Sequence, residues 1–280
     1  MRAVQLTSFG NPVDGLEYVD IPEPDAPGPN QVLIGVEFSP INPNDLMVAQ
    51  GSYAFRPPLP TVIGNEGVGR VLAVGPRVES IKVGDRVLAP LSSSTWRERM
   101  VIPAGGLSAL PPDADPQQLA MLGINPPTAA LLLSEYVDLK PGEWVVQNAA
   151  NSGVGRWVIA FAKTRGLKTV SIVRRPELVA ELEAIGGDVV VVDSPDVPER
   201  IKAAVSQTEH RLALDGVSGP ATGVLAATLS PRGTLVSFAA MSGGAMSISP
   251  LDVIFKPRRV SGLKMMSRGL MDIAPPLMAA

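Results

Sequence analysis

Between Glu143 and Arg175 the sequence EWVVQNAANSGVGRWVIAFAKTRGLKTVSIVRR leaves few folds open. An apolar run, Trp144 to Val146, leads into Ala149-Ala150-Asn151-Ser152-Gly153-Val154-Gly155 and then into a helical pattern from Trp157 to Lys163, which Gly166 closes. This is strand, glycine turn and helix, followed by a second strand that ends in Arg174 and Arg175. Ala150, Ser152, Gly153 and Gly155 are small enough for the backbone to approach a pyrophosphate, whose charge is favoured by open N–H groups at a helix N-terminus. In a dinucleotide-binding fold the second strand carries an acid roughly 20 residues after the glycines, where it holds the ribose hydroxyls. Here two arginines stand in that place. A guanidinium pairs with the additional phosphate of NADP, which a carboxylate would repel, so the segment predicts NADPH rather than NADH. The turn departs from strict G-x-G-x-x-G at two of its three glycines, so the flanking strand and helix carry the reading.

With 280 residues, 45% of them hydrophobic, the chain buries substantial cores and divides most naturally into two domains. A net charge of -3 and a pI near 5.3 give no basic field for nucleic acid. No apolar run is long enough to span a bilayer, so neither nucleic acid nor membrane is expected as a partner. The start, MRAVQLTSFGNP, lacks a signal-peptide core and reads as a first strand and turn, so a cytoplasmic location is expected. There is no cysteine and one histidine, which removes thiolate chemistry, disulfides and Cys/His zinc sites; no metal site is expected. The histidine, His210, lies in a polar link before the strand Leu212 to Leu214 and reads as a surface loop residue.

Up to about Pro112 the chain is rich in proline and glycine, with short alternating segments at Val32 to Phe38, Gly67 to Val74 and Arg86 to Leu88 that read as strands between turns. From Asp113 the texture changes. Strands are expected near Trp144, Thr169, Val189, Leu212 and Leu235, and helices around Ile159, Leu182, Ala203 and Leu225. That alternation predicts an α/β fold with a parallel sheet covered on both faces. Asp188 to Asp193, DVVVVD, is a β-branched run of the kind buried on both faces.

Several segments together resemble the medium-chain dehydrogenase/reductase superfamily, in particular its zinc-free NADPH-dependent 2-enoyl thioester reductases and quinone oxidoreductase-like members. They are Ile41-Asn42-Pro43-Asn44-Asp45, Gln50-Gly51-Ser52-Tyr53, Gly64-Asn65-Glu66-Gly67, Thr95-Trp96-Arg97, Gly123-Ile124-Asn125-Pro126 and the glycine turn with Gln147 and Asn148 ahead of it. The resemblance implies a GroES-like β-rich catalytic domain over residues 1–112 and a doubly wound Rossmann domain for NADPH over 113–258. Residues 259–280 would be the last sheet strand and an incomplete C-terminal segment, because family members continue well beyond this point; the fold would be truncated at its C-terminus. Zinc-dependent members place a cysteine and a histidine where Asn42 and Asn65 stand.

Without a metal to polarise an alcohol or ketone, the chemistry left for NADPH is reduction of an activated carbon–carbon double bond, with hydride added at the β carbon and a proton at the α carbon. The family suggests Tyr53 as the proton donor, since a phenol keeps its proton at neutral pH. By position alone Tyr53 would be a loop aromatic; the motifs around it give it the catalytic role. Asn44 and Asp45 are candidates for lining the substrate site, although both residue types also form ordinary turns. The resemblance further implies Asn125 beside the nicotinamide, Asn151, Ser152, Gly153, Val154 and Gly155 around the pyrophosphate, and Arg174 and Arg175 on the ribose phosphate. Phe238, Ala239, Ala240 and Met241 would lie beneath the cofactor, and Leu263, Lys264 and Met265 near the nicotinamide and acyl group.

Three functions are consistent with these residues. The first is NADPH-dependent reduction of 2-enoyl thioesters of coenzyme A or acyl carrier protein, as in fatty-acid synthesis. The second is reduction of quinones or small enones, which asks less of a placed proton donor. The third is a truncated, catalytically silent NADPH-binding protein. Homologues dimerise through edge strands, so a homodimer is expected, with the β-like run Ala245 to Phe255 as its candidate edge.

Overall fold

The computed structural model describes residues 1–205, 209–254 and 258–263. The chain packs as two compact units, one ending at Ile124 and the other beginning at Asn125.

The first unit contains β1 (Arg2–Leu6), α1 (Pro12–Gly15), β2 (Leu16–Asp20), β3 (Gln31–Phe38), α2 (Pro43–Gln50), β4 (Thr61–Val62), β5 (Val68–Val74), β6 (Arg86–Leu88), β7 (Arg99–Pro103) and α3 (Pro116–Leu119). All its strand pairings are antiparallel, in one sheet of order β2-β1-β4 and another of order β6-β5-β3-β7. Alternate residues of the second sheet, among them Val32, Ile34, Val71, Val87, Met100 and Ile102, form its main core. A smaller cluster of Leu6, Val48, Ala49 and Ile63 lies under α2. Complete burial of each such aliphatic side chain stabilises by roughly 1.5–3 kcal/mol relative to exposure.

The second unit contains α4 (Asn125–Ser134), β8 (Trp144–Gln147), α5 (Gly153–Thr164), β9 (Lys168–Val173), α6 (Leu178–Ala184), β10 (Val189–Val192), α7 (Val197–Ala204), β11 (His210–Asp215), α8 (Ala221–Thr228), β12 (Thr234–Ser237), α9 (Pro250–Ile254) and β13 (Arg259–Gly262). Among the described residues its strands are all parallel, in the order β10-β9-β8-β11-β12-β13. The chain therefore runs outward from β8 to one edge, returns beside β8 as β11, and runs outward to the other edge. The reversal falls between the C-terminal ends of β8 and β11, the place where open α/β sheets bind ligands. One face packs under α4 and α5 through Leu132, Leu133, Val154, Val158 and Ala162; the other packs under α7 and α8 through Val197, Ile201, Leu225 and Ala226. These are the two covered faces of a doubly wound sheet.

Three details differ from what the sequence suggested. The run at Val189 is a strand, but not one buried on both faces: among the described residues β10 is an edge that pairs only with β9, and of its four valines Val191 alone is buried. His210 is not a loop residue. It opens β11, is 5% exposed, and its Nδ1 lies 3.1 Å from the Thr228 carbonyl. The polar residues ahead of it disguised a strand start, and burial pushes its pKa down. Residues 245–249 form no strand, and Pro250 opens a helix, for which proline supplies a suitable fixed φ at the first position. Phe255 lies outside the described residues.

Candidate active site

In the second unit the functional geometry is set by the absence of side chains. Backbone at the end of β8 turns through Ala149 at φ 48°, a left-handed conformation that costs energy for a residue with a Cβ. The Ser152 N–H then closes on the Ala149 carbonyl at 2.9 Å, and the Ser152 hydroxyl caps α5 by accepting from Gly155 N at 3.1 Å. A Cβ at Gly155 would lie 2.5 Å from the Ala150 carbonyl oxygen. A Cβ at Gly153 would lie 2.7 Å from Nδ2 of Asn125, so Asn125, at the head of α4, packs directly on the turn. The N–H groups of Gly153 and Val154 have no protein acceptor among the described residues. They form an anion-receptive N-terminus on a helix of 12 residues.

Arg174 and Arg175 follow β9 directly and are exposed. Arg175 stands 3.5 Å from Glu177, whereas Arg174 has no ion-pair partner among the described residues and keeps its charge available. The Phe238 N–H donates to the Asp215 carbonyl at 3.0 Å and the Met241 N–H to the Gly216 carbonyl at 3.2 Å, which places the segment 238–241 against the end of β11. Ala239 is half-buried, and Ala240 and Met241 are exposed. Leu263 continues from β13, its N–H bonded to the Ser237 carbonyl at 3.0 Å, and packs on the α4–α5 core. Lys264 and Met265 lie outside the described residues.

In the first unit the geometry is set by polar side chains. The sequence Asn42-Pro43-Asn44-Asp45 starts α2: Pro43 takes the first helical position, and the Asp45 carboxylate reaches back to the Asn42 N–H at 2.8 Å. Asp45 is 3% exposed, and burial pushes its pKa up despite the Asn42 and Asn65 backbone groups that hydrogen-bond it. Its carboxylate caps the helix and is not open to solvent. Asn44 is half-buried in the first turn, and its side chain makes no hydrogen bond among the described residues. The helix ends at Gly51 in the left-handed region, φ 71°.

Tyr53 follows two residues later, with its N–H on the Met47 carbonyl at 3.2 Å. Its ring packs on the Leu6–Ile63 cluster and meets Phe55 edge-on, 6.1 Å between centroids. The ring is half-buried and its hydroxyl has no hydrogen-bond partner among the described residues. Arg56 steadies the turn from outside, donating to the Gly51 carbonyl at 2.7 Å.

At the start of α2 sits Glu66, 1% exposed. It accepts from Asn42 Nδ2 at 2.9 Å and from the Ile124 N–H at 3.0 Å. Burial pushes its pKa up to about 7 against the pull of these donors and of the Gly123 backbone, and the nearby Asp45 charge adds to the rise. Asn65 accepts from both the N–H and the hydroxyl of Ser92, each at 3.0 Å.

Four polar residues here were given no role by the sequence: Glu66, Gln147 and Asn148 were read only as parts of motifs, and Asp215 was not singled out. Gln147, 1% exposed at the end of β8, donates to the Gly155 carbonyl at 3.1 Å and to Ser171 Oγ at 3.2 Å, and so ties the glycine turn to the sheet. Asn148 and Asp215 bond to each other across β8 and β11 at 2.8 Å. The signal was available: polar residues close an apolar strand in WVVQN and again in LALDG.

The model of the alcohol dehydrogenase GroES-like domain matches residues 28–112, and that of the zinc-binding dehydrogenase family matches residues 153–279. A mitochondrial enoyl-[acyl-carrier-protein] reductase of Rattus norvegicus is 37% identical over 94% of this chain and 72% of its own length. The mitochondrial 2-enoyl thioester reductase of Candida tropicalis, solved as an Etr1p/Etr2p heterodimer, matches with a TM-score of 0.87 at 29% identity, over 99% of this chain and 85% of that one. The Etr1p complex with NADP and crotonyl-CoA matches at 0.86. A quinone oxidoreductase of Pseudomonas syringae pv. Tomato DC3000 matches at 0.80 with 32% identity, over 94% and 80%. Despite the second family's name, the residues present do not fit a zinc ion: Asn42 and Asn65 commit their side chains to Glu66 and Ser92, and the chain has no cysteine.

Proposed function

The chain belongs to the medium-chain dehydrogenase/reductase superfamily, among its enoyl thioester reductases, and on that premise we propose that it reduces the activated double bond of 2-enoyl thioesters with NADPH. The cofactor reading is supported by a cradle in which an added Cβ would clash, by the open N–H groups of Gly153 and Val154, and by the unpaired charge of Arg174. In this reading Asn151 to Gly155 hold the pyrophosphate, Arg174 and Arg175 the ribose phosphate, and Asn125 the nicotinamide. Phe238 to Met241 and Leu263 line the remainder. NADPH, when bound, supplies the hydride that adds to the β carbon.

Tyr53 supplies the proton to the α carbon, giving a saturated thioester. The observation that carries this role is a phenol without a hydrogen-bond partner among the described residues, on a turn fixed by the cap of α2 and by Arg56. Asn44, whose side chain makes no hydrogen bond among the described residues, is the candidate for contacting the thioester. Asp45 supports it by holding the helix start. Coenzyme A and acyl carrier protein are both proposed carriers. The likeness to a quinone oxidoreductase favours one alternative, in which a quinone takes the hydride and water completes the protonation.

A homodimer is proposed as well, since Val260 of the edge strand β13 and Leu251 and Ile254 of α9 are exposed. A single monomeric species in sedimentation contradicts it. A cytoplasmic location is consistent with the absence of cysteine, although the relatives are named mitochondrial, and fractionation decides it.

The test is isotopic. With crotonyl thioester, nicotinamide deuterium is expected at the β carbon and solvent deuterium at the α carbon of the product. Turnover of quinone alone overturns the thioester reading.

A further inference from the structure

Asp215 ends β11 with 0% exposure, and no lysine or arginine is paired with it among the described residues. A buried carboxylate without a cation is costly unless its oxygens are satisfied by donors. Here four donors converge. Oδ1 accepts from Asn148 Nδ2 at 2.8 Å, Val217 N at 3.0 Å and Ser218 N at 2.9 Å, and Oδ2 accepts from Thr222 Oγ1 at 2.6 Å. Oδ1 of Asn148 accepts from the Gly216 N–H at 2.7 Å. Three successive amides, 216 to 218, are thus bonded to this buried pair, and Ser218 is held at φ 67°.

With those amides so engaged, the carbonyls of the same loop serve another segment. Those of Asp215, Gly216, Val217 and Gly219 accept from Phe238 N at 3.0 Å, Met241 N at 3.2 Å, Ser242 N at 2.9 Å and Ser247 N at 3.1 Å. Ser218 Oγ adds a bond to the Gly244 carbonyl at 2.8 Å. Residues 238–249 belong to no helix or strand, so these bonds are what fix their course. The fit is close: a Cβ on Gly216 would lie 2.8 Å from Cζ of Phe238.

We propose that Asp215 is a positioning residue: it locks loop 215–219 into a template on which residues 238–247 are laid, and thereby sets the affinity for NADPH. The inference rests on the reading of Phe238 to Met241 as cofactor contacts. It does not involve the substrate, so the Michaelis constant for NADPH should move and that for the thioester should not.

The experiment measures two quantities on Asp215→Asn, Asp215→Leu and Thr222→Val. One is amide hydrogen exchange across 238–247 in the cofactor-free protein; the other is the NADPH dissociation constant from nicotinamide fluorescence. Asparagine keeps an acceptor for Asn148 and the loop amides, and the Thr222 hydroxyl can turn to accept from the new amide, so both quantities should stay near parental. Leucine removes every acceptor; exchange should quicken and the NADPH dissociation constant rise about tenfold or more. Thr222→Val removes one donor without a change of shape and should fall between them, which keeps the test decisive where the leucine variant fails to fold. Parental exchange in both non-asparagine variants overturns the template. Faster exchange with unchanged NADPH binding overturns the assignment of 238–241 to the cofactor, and with it the link from Asp215 to affinity.

Discussion

The two units hold their functional groups by opposite means. In the first, polar side chains do the holding: Asp45 closes the helix start, Asn42 reaches Glu66, and Glu66 gathers backbone from the far end of the unit. In the second, the turn after β8 is held by what is missing, with Gly153 pressed on Asn125 and Gly155 on Ala150. Hydrogen-bonded carboxylates titrate, whereas close-packed glycines do not. The Glu66 site of the first unit should therefore respond to pH and to loss of polar atoms, and the glycine turn of the second to single added methyl groups. Chemistry and cofactor affinity should separate along the same line.

The largest expected effect is on chemistry alone. Tyr53→Phe should lower thioester turnover by roughly 10²- to 10⁴-fold, the usual contribution of a general acid, with NADPH affinity unchanged in fluorescence titration. An equal loss of NADPH binding would break the division between units. Next, the double variant Arg174→Ser with Arg175→Ser should weaken NADPH by about 10²-fold and leave NADH untouched, as lost charge-assisted bonds require. Gly153→Ala forces its Cβ toward the Asn125 amide and should weaken NADPH about tenfold, with the thioester Michaelis constant unaltered. A parental dissociation constant there would show that the turn is less tight than its geometry states.

The smallest effects are in stability. Glu66 is pushed up to about 7 from an ordinary 4.5, so between those pH values the folded protein binds more protons than the unfolded chain. Stability from this group therefore falls as pH rises from 4.5 to 7 and is lowest above 7, by about 3 kcal/mol at most. Glu66→Gln should remove that slope in denaturant titrations run across the range. His210 contributes the opposite sign: burial lowers its pKa, the unfolded chain takes up its proton first, and stability is lost as pH falls below about 6.5. Equal slopes in the Gln variant and the parent would mean that Glu66 does not titrate there.

The same contrast explains what was legible in the sequence. The second unit's strands at Trp144, Thr169, Val189, Leu212 and Leu235 and its helices around Ile159, Leu182, Ala203 and Leu225 stand where apolar periodicity put them, because burial on a parallel sheet writes itself into the sequence. The run at Val189 failed only in its burial, since an edge and a centre strand can share one β-branched composition. His210 was missed because a buried imidazole bonded to a carbonyl carries no local mark. Tyr53 drew its role from neighbouring motifs, not from periodicity. Glu66, Gln147 and Asp215 act through partners distant in sequence, Ile124 being 58 residues from Glu66 and Asn148 67 from Asp215. Such bonds exist only in the folded chain.

The substrate is tested most directly by comparing NADPH oxidation by the purified protein with crotonyl and longer 2-enoyl thioesters and with benzoquinone, followed by the loss of reduced-nicotinamide absorbance. A kcat/KM for the enoyl thioesters well above that for the quinone is expected. Quinone turnover with none on any thioester would contradict it.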